Sequence, residues 1–161
     1  MKTKVAYFGV FTALALIFSY VESLIPIQLG IPGVKLGLAN LIIVIALYKM
    51  SINEAYILSV IRIVLAGFMF GNLFAILYSL AGGMLSLTIM CILKKTDRFS
   101  AYGVSMAGGV FHNVGQLLMA AIVLESVSIG YYFPVLLISG LATGFVIGVI
   151  ANEMIKRLKI L

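Results

Sequence analysis

The chain has 161 residues, of which 63% are hydrophobic and only 10% charged, with a mean hydropathy of +1.23. Soluble domains carry about 25% charged residues, so this composition excludes a soluble globular protein and indicates one all-α integral membrane domain, residues 1–161. The net charge of +6 is no signature of nucleic-acid binding, because the basic residues sit in short stretches between apolar runs, where they report topology.

The first apolar run, Val5–Val21, follows two lysines and imitates a signal peptide, with Ala13-Leu14-Ala15 resembling a cleavage motif. It continues well past that point, so a retained membrane helix is expected. Glu22–Gly33 contains Pro26, Gly30, Pro32 and Gly33 and is expected to form a re-entrant or cap-like segment. The second span is expected over Val34–Tyr48, short for a full crossing. Lys49–Glu54 is a polar turn. The long uncharged stretch after Arg62 must contain two helices broken at Gly71-Asn72, giving a third span over Ala55–Phe70 and a fourth over Leu73–Leu93. Lys94–Arg98 is a loop. The fifth span is Phe99–Leu124, followed by a turn at Glu125–Gly130. The sixth is Phe133–Asn152, with Tyr131 and Tyr132 as interfacial anchors.

Six spans with both termini in the cytoplasm place nine of the eleven basic residues inside. The remaining two, Lys35 and Arg62, lie at or within spans. Gly140, Gly144 and Gly148 form a stripe for close helix packing, with Gly82-Gly83 and Gly108-Gly109 doing the same on the fourth and fifth spans. Ala6, Gly9 and Ala13 offer a small-residue face on the first span, which serves either packing or the docking of a partner protein.

Polar side chains inside hydrocarbon are costly and mark functional groups or helix glue. In the six-span topology Lys35, Asn40, Asn72, Tyr78, Asn113 and Gln116 fall in the outer half, with Arg62 and His112 near the middle. His112 and Gln116 are four residues apart and share a helix face. This pattern predicts a pocket open to the outside. The two cations have no acid within any span, although Glu22 at the outer interface is within reach of one. The missing negative charge then belongs to an anionic ligand with an apolar portion. Competing explanations stand for each residue: Arg62 and Lys35 as snorkelling cations, Asn113 and Gln116 as interhelical hydrogen bonds, Tyr78 as packing.

Several functions lack their residues. No phosphate-binding Gly-rich loop with Lys-Ser/Thr is present, so no ATPase is encoded. Asp97 is the only aspartate, which leaves no aspartate-rich site for magnesium and a diphosphate. One histidine and one cysteine, Cys91, make neither a metal site nor a disulfide. Catalysis by this chain alone, a cofactor and a bound metal are not expected.

Three ordered segments carry a resemblance: Pro32-Gly33-Val34-Lys35-Leu36-Gly37-Leu38-Ala39-Asn40, Leu77-Tyr78-Ser79-Leu80-Ala81-Gly82-Gly83, and His112-Asn113-Val114-Gly115-Gln116. They resemble the membrane family labelled Gx transporter or heptaprenyl diphosphate synthase component I, over nearly the whole chain. That family is similar to the six-helix substrate-binding (S) components of energy-coupling factor (ECF) transporters. The resemblance implies uptake of a small molecule through a bacterial cytoplasmic membrane, bound near the outer side. It also implies docking of a transmembrane coupling subunit, with its ATPases, on small residues of the first helix. Gly9 stands where Ala is more usual. Two further roles follow from the same resemblance: a non-catalytic subunit of a prenyl diphosphate synthase, or a scaffold in a quinone- and flavin-dependent electron-transfer complex. A quinone-precursor or isoprenoid-like ligand would accord with either association.

Overall fold

The computed structural model describes residues 2–24 and 37–158. These form six α-helices: α1 (Lys2–Leu24), α2 (Leu38–Lys49), α3 (Ile52–Phe70), α4 (Leu73–Lys95), α5 (Ala101–Val123) and α6 (Phe133–Arg157). A short 3-10 helix, Val127–Tyr132, leads into α6 where a turn was expected. The segment proposed as re-entrant lies mostly outside the described residues, as does Lys35.

Local chemistry sets the helix starts. Ser51 and Glu54 form a reciprocal capping box that starts α3 after a two-residue turn. Asn72 accepts from the Ala75 N–H and Ser100 from the Gly103 N–H, starting α4 and α5. Pro134 sits in the first turn of α6, where its missing N–H costs nothing.

Five helices are long and apolar enough to cross a membrane. The exception, α2, has 12 residues, about 18 Å of helix, against a hydrocarbon core of about 30 Å. Its sequence is apolar on every face, and every residue from Leu41 to Leu47 is buried. A helix of that kind belongs in the middle of a bundle. Here it packs on α1, α3 and α6, and its side chains meet Leu87, Met90 and Val104 in the core. The five longer helices turn large apolar side chains outward, among them Phe68, Ile122 and Ile138, each at least 66% exposed. Water would not tolerate that surface; lipid does. This is a multi-pass membrane protein.

α5 packs most extensively, against α4 on one side and α6 on the other. The glycines explain how. A Cβ on Gly144 would stand 2.7 Å from the backbone of Met106, and one on Gly109 would run into the Gly140 carbonyl. On α4, a Cβ on Gly82 would stand 2.6 Å from the His112 carbonyl, while one on Gly83 would press on Ile63 of α3. The glycine pairs thus set α4–α5–α6 as a tight layer and admit α3 beside it.

The two ends differ in charge. α1 runs antiparallel to α2, as the hydrogen bond from the Gly37 N–H to Glu22 shows. Lys4, Lys49, Lys94, Lys95, Arg98, Lys156 and Arg157 therefore gather at one end, the basic end. There Lys94 Nζ donates to the Leu47 carbonyl at 2.6 Å and sits over the Tyr48 ring, so α4 satisfies the carbonyl end of α2. At the opposite end, which holds Glu22, Gly37, Gly71-Asn72 and the 3-10 helix, no described residue is basic.

Candidate functional site

Asn40, Arg62, His112, Asn113 and Gln116 come together within the half of the bundle away from the basic end. Arg62 lies midway along α3 and is 9% exposed. Its Nη2 donates to Asn40 Oδ1 on α2 at 3.0 Å. Its Nε is buried with no hydrogen-bond partner among the described residues. No acid lies within ion-pairing distance of it: among the described residues the one ion pair is Arg157–Glu153, at the surface of α6. A guanidinium this buried needs more than one neutral hydrogen bond to offset its lost hydration.

Two cavities meet at this point. The larger, about 70 Å³, is lined by Arg62, Asn40, His112 and Gln116, with Glu22 and Ser19 from α1 and Ser79 from α4. The smaller, about 30 Å³, lies deeper and is lined by Asn40, His112, Asn113, Ser86, Ser105 and Thr143. Gly37, Asn40 and His112 belong to both. Gly37 holds φ at +73°, a left-handed conformation that suits glycine, and its N–H is bound by Glu22. The ends of α1 and α2 are thereby tied together over the larger cavity.

Four of the residues singled out from the sequence, Asn40, Arg62, His112 and Gln116, line one cavity. Asn113 lines only the smaller one, and its amide donates to the Leu136 carbonyl at 2.7 Å and to Ser139 Oγ at 3.2 Å. Its donors hold α5 to α6. Asn72 is exposed and spent on the α4 cap; Tyr78 is half-buried; neither lines either cavity. Ala6, Gly9 and Ala13 all lie exposed on α1, on the side away from the buried Phe11 and Ala15. A Cβ on Gly9 would meet nothing within 4 Å.

Signals for the rest of the lining are weaker. Position in the chain marks Glu22 as a counter-charge within reach, and the structure makes it a wall of the site. Ser19, Ser23 and Ser79 had no signal beyond being polar residues on apolar helices, and Ser86 and Ser105 likewise. Their hydroxyls are largely committed: Ser86 Oγ donates to the Gly108 carbonyl at 2.7 Å and Ser105 Oγ to the Gly144 carbonyl at 2.8 Å. Among the described residues no group of three or more His, Cys, Asp or Glu could hold a metal ion.

No curated protein and no solved structure matches the chain. The family model for heptaprenyl diphosphate synthase component I matches residues 11–154, a stretch that holds all six helices in large part and every described residue of both cavities. The chain belongs to the heptaprenyl diphosphate synthase component I family.

Proposed function

We propose that this chain is the substrate-binding membrane subunit of an uptake system, of the S-component type, and that it takes a small anionic or amphipathic molecule. The observation that carries this is Arg62: a buried guanidinium with an unused Nε that lines a cavity, with Glu22 on the same cavity wall but outside ion-pairing distance. Burial of a charge without an ion-pair partner is costly. A ligand's anionic group supplies the missing partner. The asymmetry of charge between the two ends supports an orientation with the basic end in the cytoplasm of a bacterium. Both termini are then cytoplasmic, and the larger cavity lies toward the outside. α2 completes a bundle of six spans in this reading, enclosed by the other five.

The chain offers no nucleotide-binding loop, so energy for uptake comes from an ATP-driven partner through a coupling subunit. The exposed Ala6–Gly9–Ala13 face of α1 is the surface proposed for that subunit. Lys35, outside the described residues, is proposed as a further contact near the mouth. Native mass spectrometry of the gently purified protein tests the reading. A co-purified small molecule, present in the wild type and lost in Arg62→Ala, is the expected result. A clean apo mass in both, with the fold retained, overturns it.

A second reading has the family description in its favour: a non-catalytic membrane subunit that assembles with a prenyl diphosphate synthase. Synthase activity measured with and without this chain separates the two. A scaffold in an electron-transfer complex is disfavoured, because a buried guanidinium with a bare Nε on a cavity wall has no use in a purely structural interior.

A further inference from the structure

We propose that the cavity around Arg62 takes a compact amphoteric molecule, with an anionic group on Arg62 and an ammonium or hydroxyl donor on Glu22, and not a prenyl chain. The inference rests on the ligand-binding reading above and names its substrate class. Three observations carry it.

The first is that the cavity has two chemically opposite poles. Arg62 and Glu22 both line it, yet they make no ion pair with each other. Arg62 brings only donors, with Nη2 on Asn40 and Nε unused. Glu22 brings only acceptors, and one of its oxygens takes the Gly37 N–H. The serines on the Glu22 side strengthen that pole. Ser19 Oγ donates to the Ala15 carbonyl at 2.9 Å and Ser23 Oγ to the Tyr20 carbonyl at 2.7 Å. Their single protons are spent, and what remains for the cavity is lone pairs.

The second is the charge balance. The described charges on the cavity wall are one guanidinium and one carboxylate. A simple anion gains from Arg62 but is repelled by Glu22, and a simple cation meets the reverse. A molecule carrying both signs, or an anion with an adjacent hydroxyl, satisfies both poles at once.

The third is size. The larger cavity holds about 70 Å³ and the deeper one about 30 Å³. An engineered cavity of about 150 Å³ is what accommodates benzene. The space that the described residues enclose suits a molecule of a few heavy atoms and is small for an isoprenoid tail.

The test is equilibrium binding to the purified full chain in lipid nanodiscs. The probes are glycine and glycolate, acetate as the anion alone, ethylammonium as the cation alone, and geranyl diphosphate as a prenyl anion. Glycine or glycolate is expected to bind at least about tenfold more tightly than acetate or ethylammonium, and geranyl diphosphate not to compete. Glu22→Gln keeps the acceptor for Gly37 but removes the charge. It is expected to reduce the preference for glycine over acetate by about tenfold or more, chiefly by strengthening acetate; a variant that merely misfolds weakens both. Arg62→Lys, which keeps the charge should Arg62→Ala fail to fold, retains the preference with reduced affinity. Equal binding of acetate and glycine overturns the proposal, and so does binding of geranyl diphosphate alone, or of no probe by the folded protein. None of these outcomes removes a co-purified ligand seen by mass spectrometry, so the binding reading stands or falls separately.

Discussion

Asn40 and Asn72 are the same residue type near the same end of the bundle, and they do different work. Asn40 gives Arg62 its one hydrogen bond among the described residues, at 3.0 Å. Asn40→Leu takes that bond away. Losing a buried bond to a charged group costs about 1–3 kcal/mol. The expected outcome is a clear drop in thermal stability together with loss of ligand binding, and added ligand restores little of the stability. Asn72 caps α4 through the Ala75 N–H at 2.8 Å. Asn72→Ala is expected to cost about 0.5–2 kcal/mol and to leave ligand affinity unchanged. A thermal-unfolding series of both variants, with and without ligand, checks the pair. The sequence marked both asparagines as odd for an apolar chain. It did not separate them, because a cap is recognised from the residues that follow, whereas Asn40 depends on which face of α2 meets α3. The same limit kept Glu22, legible as an acid within reach of one cation, from being read as part of the cavity wall. It is 40 positions from Arg62 in the chain, and its place in the cavity wall follows from how α1 leans on α2 and α3.

At the scale of elements, much was legible. The break at Gly71-Asn72, the loop at Lys94–Arg98 and the onset of the sixth helix at Phe133 were read from hydropathy and turn residues, and helices end or begin at those places. The first, third, fourth and sixth helices run two to five residues beyond the expected ends, because charged residues such as Lys94, Lys95, Lys156 and Arg157 continue a helix past the apolar run. Favourable interaction with the helix C-terminus rewards cations in the last turn. The burial of α2 was not legible. An apolar helix buried in protein and one facing lipid have the same composition, and only its shortness hinted at the difference. The glycine stripe was read as packing, and it packs on α5. Its two sides make a sharp contrast for mutation. A Cβ on Gly109 runs into the backbone of Gly140, which cannot rotate away, so Gly109→Ala must push α5 from α6. Overpacking of that kind costs about 1–3 kcal/mol. A Cβ on Gly9 or Gly130 meets nothing within 4 Å. Gly9→Ala is expected to leave the stability of the isolated chain unchanged or slightly raised, since alanine favours the helix. Thermal unfolding of the two variants in one detergent decides whether the α5–α6 contact is as tight as its geometry.

At the scale of the molecule, the site and the topology depend on each other. A cavity at the end opposite the lysines faces the outside only if the basic end stays in the cytoplasm. The separation of charge is the reason to expect that orientation: seven described basic residues gather at one end, and none lies at the other. Inverting the protein would carry the basic end across the bilayer and turn the cavity toward the cytoplasm, where a high-affinity uptake site has no use. Single cysteines report the orientation directly. With Cys91 replaced by Ala, Ser128→Cys places a thiol on the exposed 3-10 segment and Thr96→Cys places one on the exposed α4–α5 turn. A membrane-impermeant maleimide applied to intact cells is expected to label the cysteine at 128 and not the one at 96, with both labelled once the membrane is opened. The reverse pattern would place the Arg62 cavity on the cytoplasmic side. Arg62 would then serve a molecule made inside the cell, and the synthase-subunit reading would become the better one. Equal labelling of both positions in intact cells would mean a mixed population, which this separation of charge does not permit.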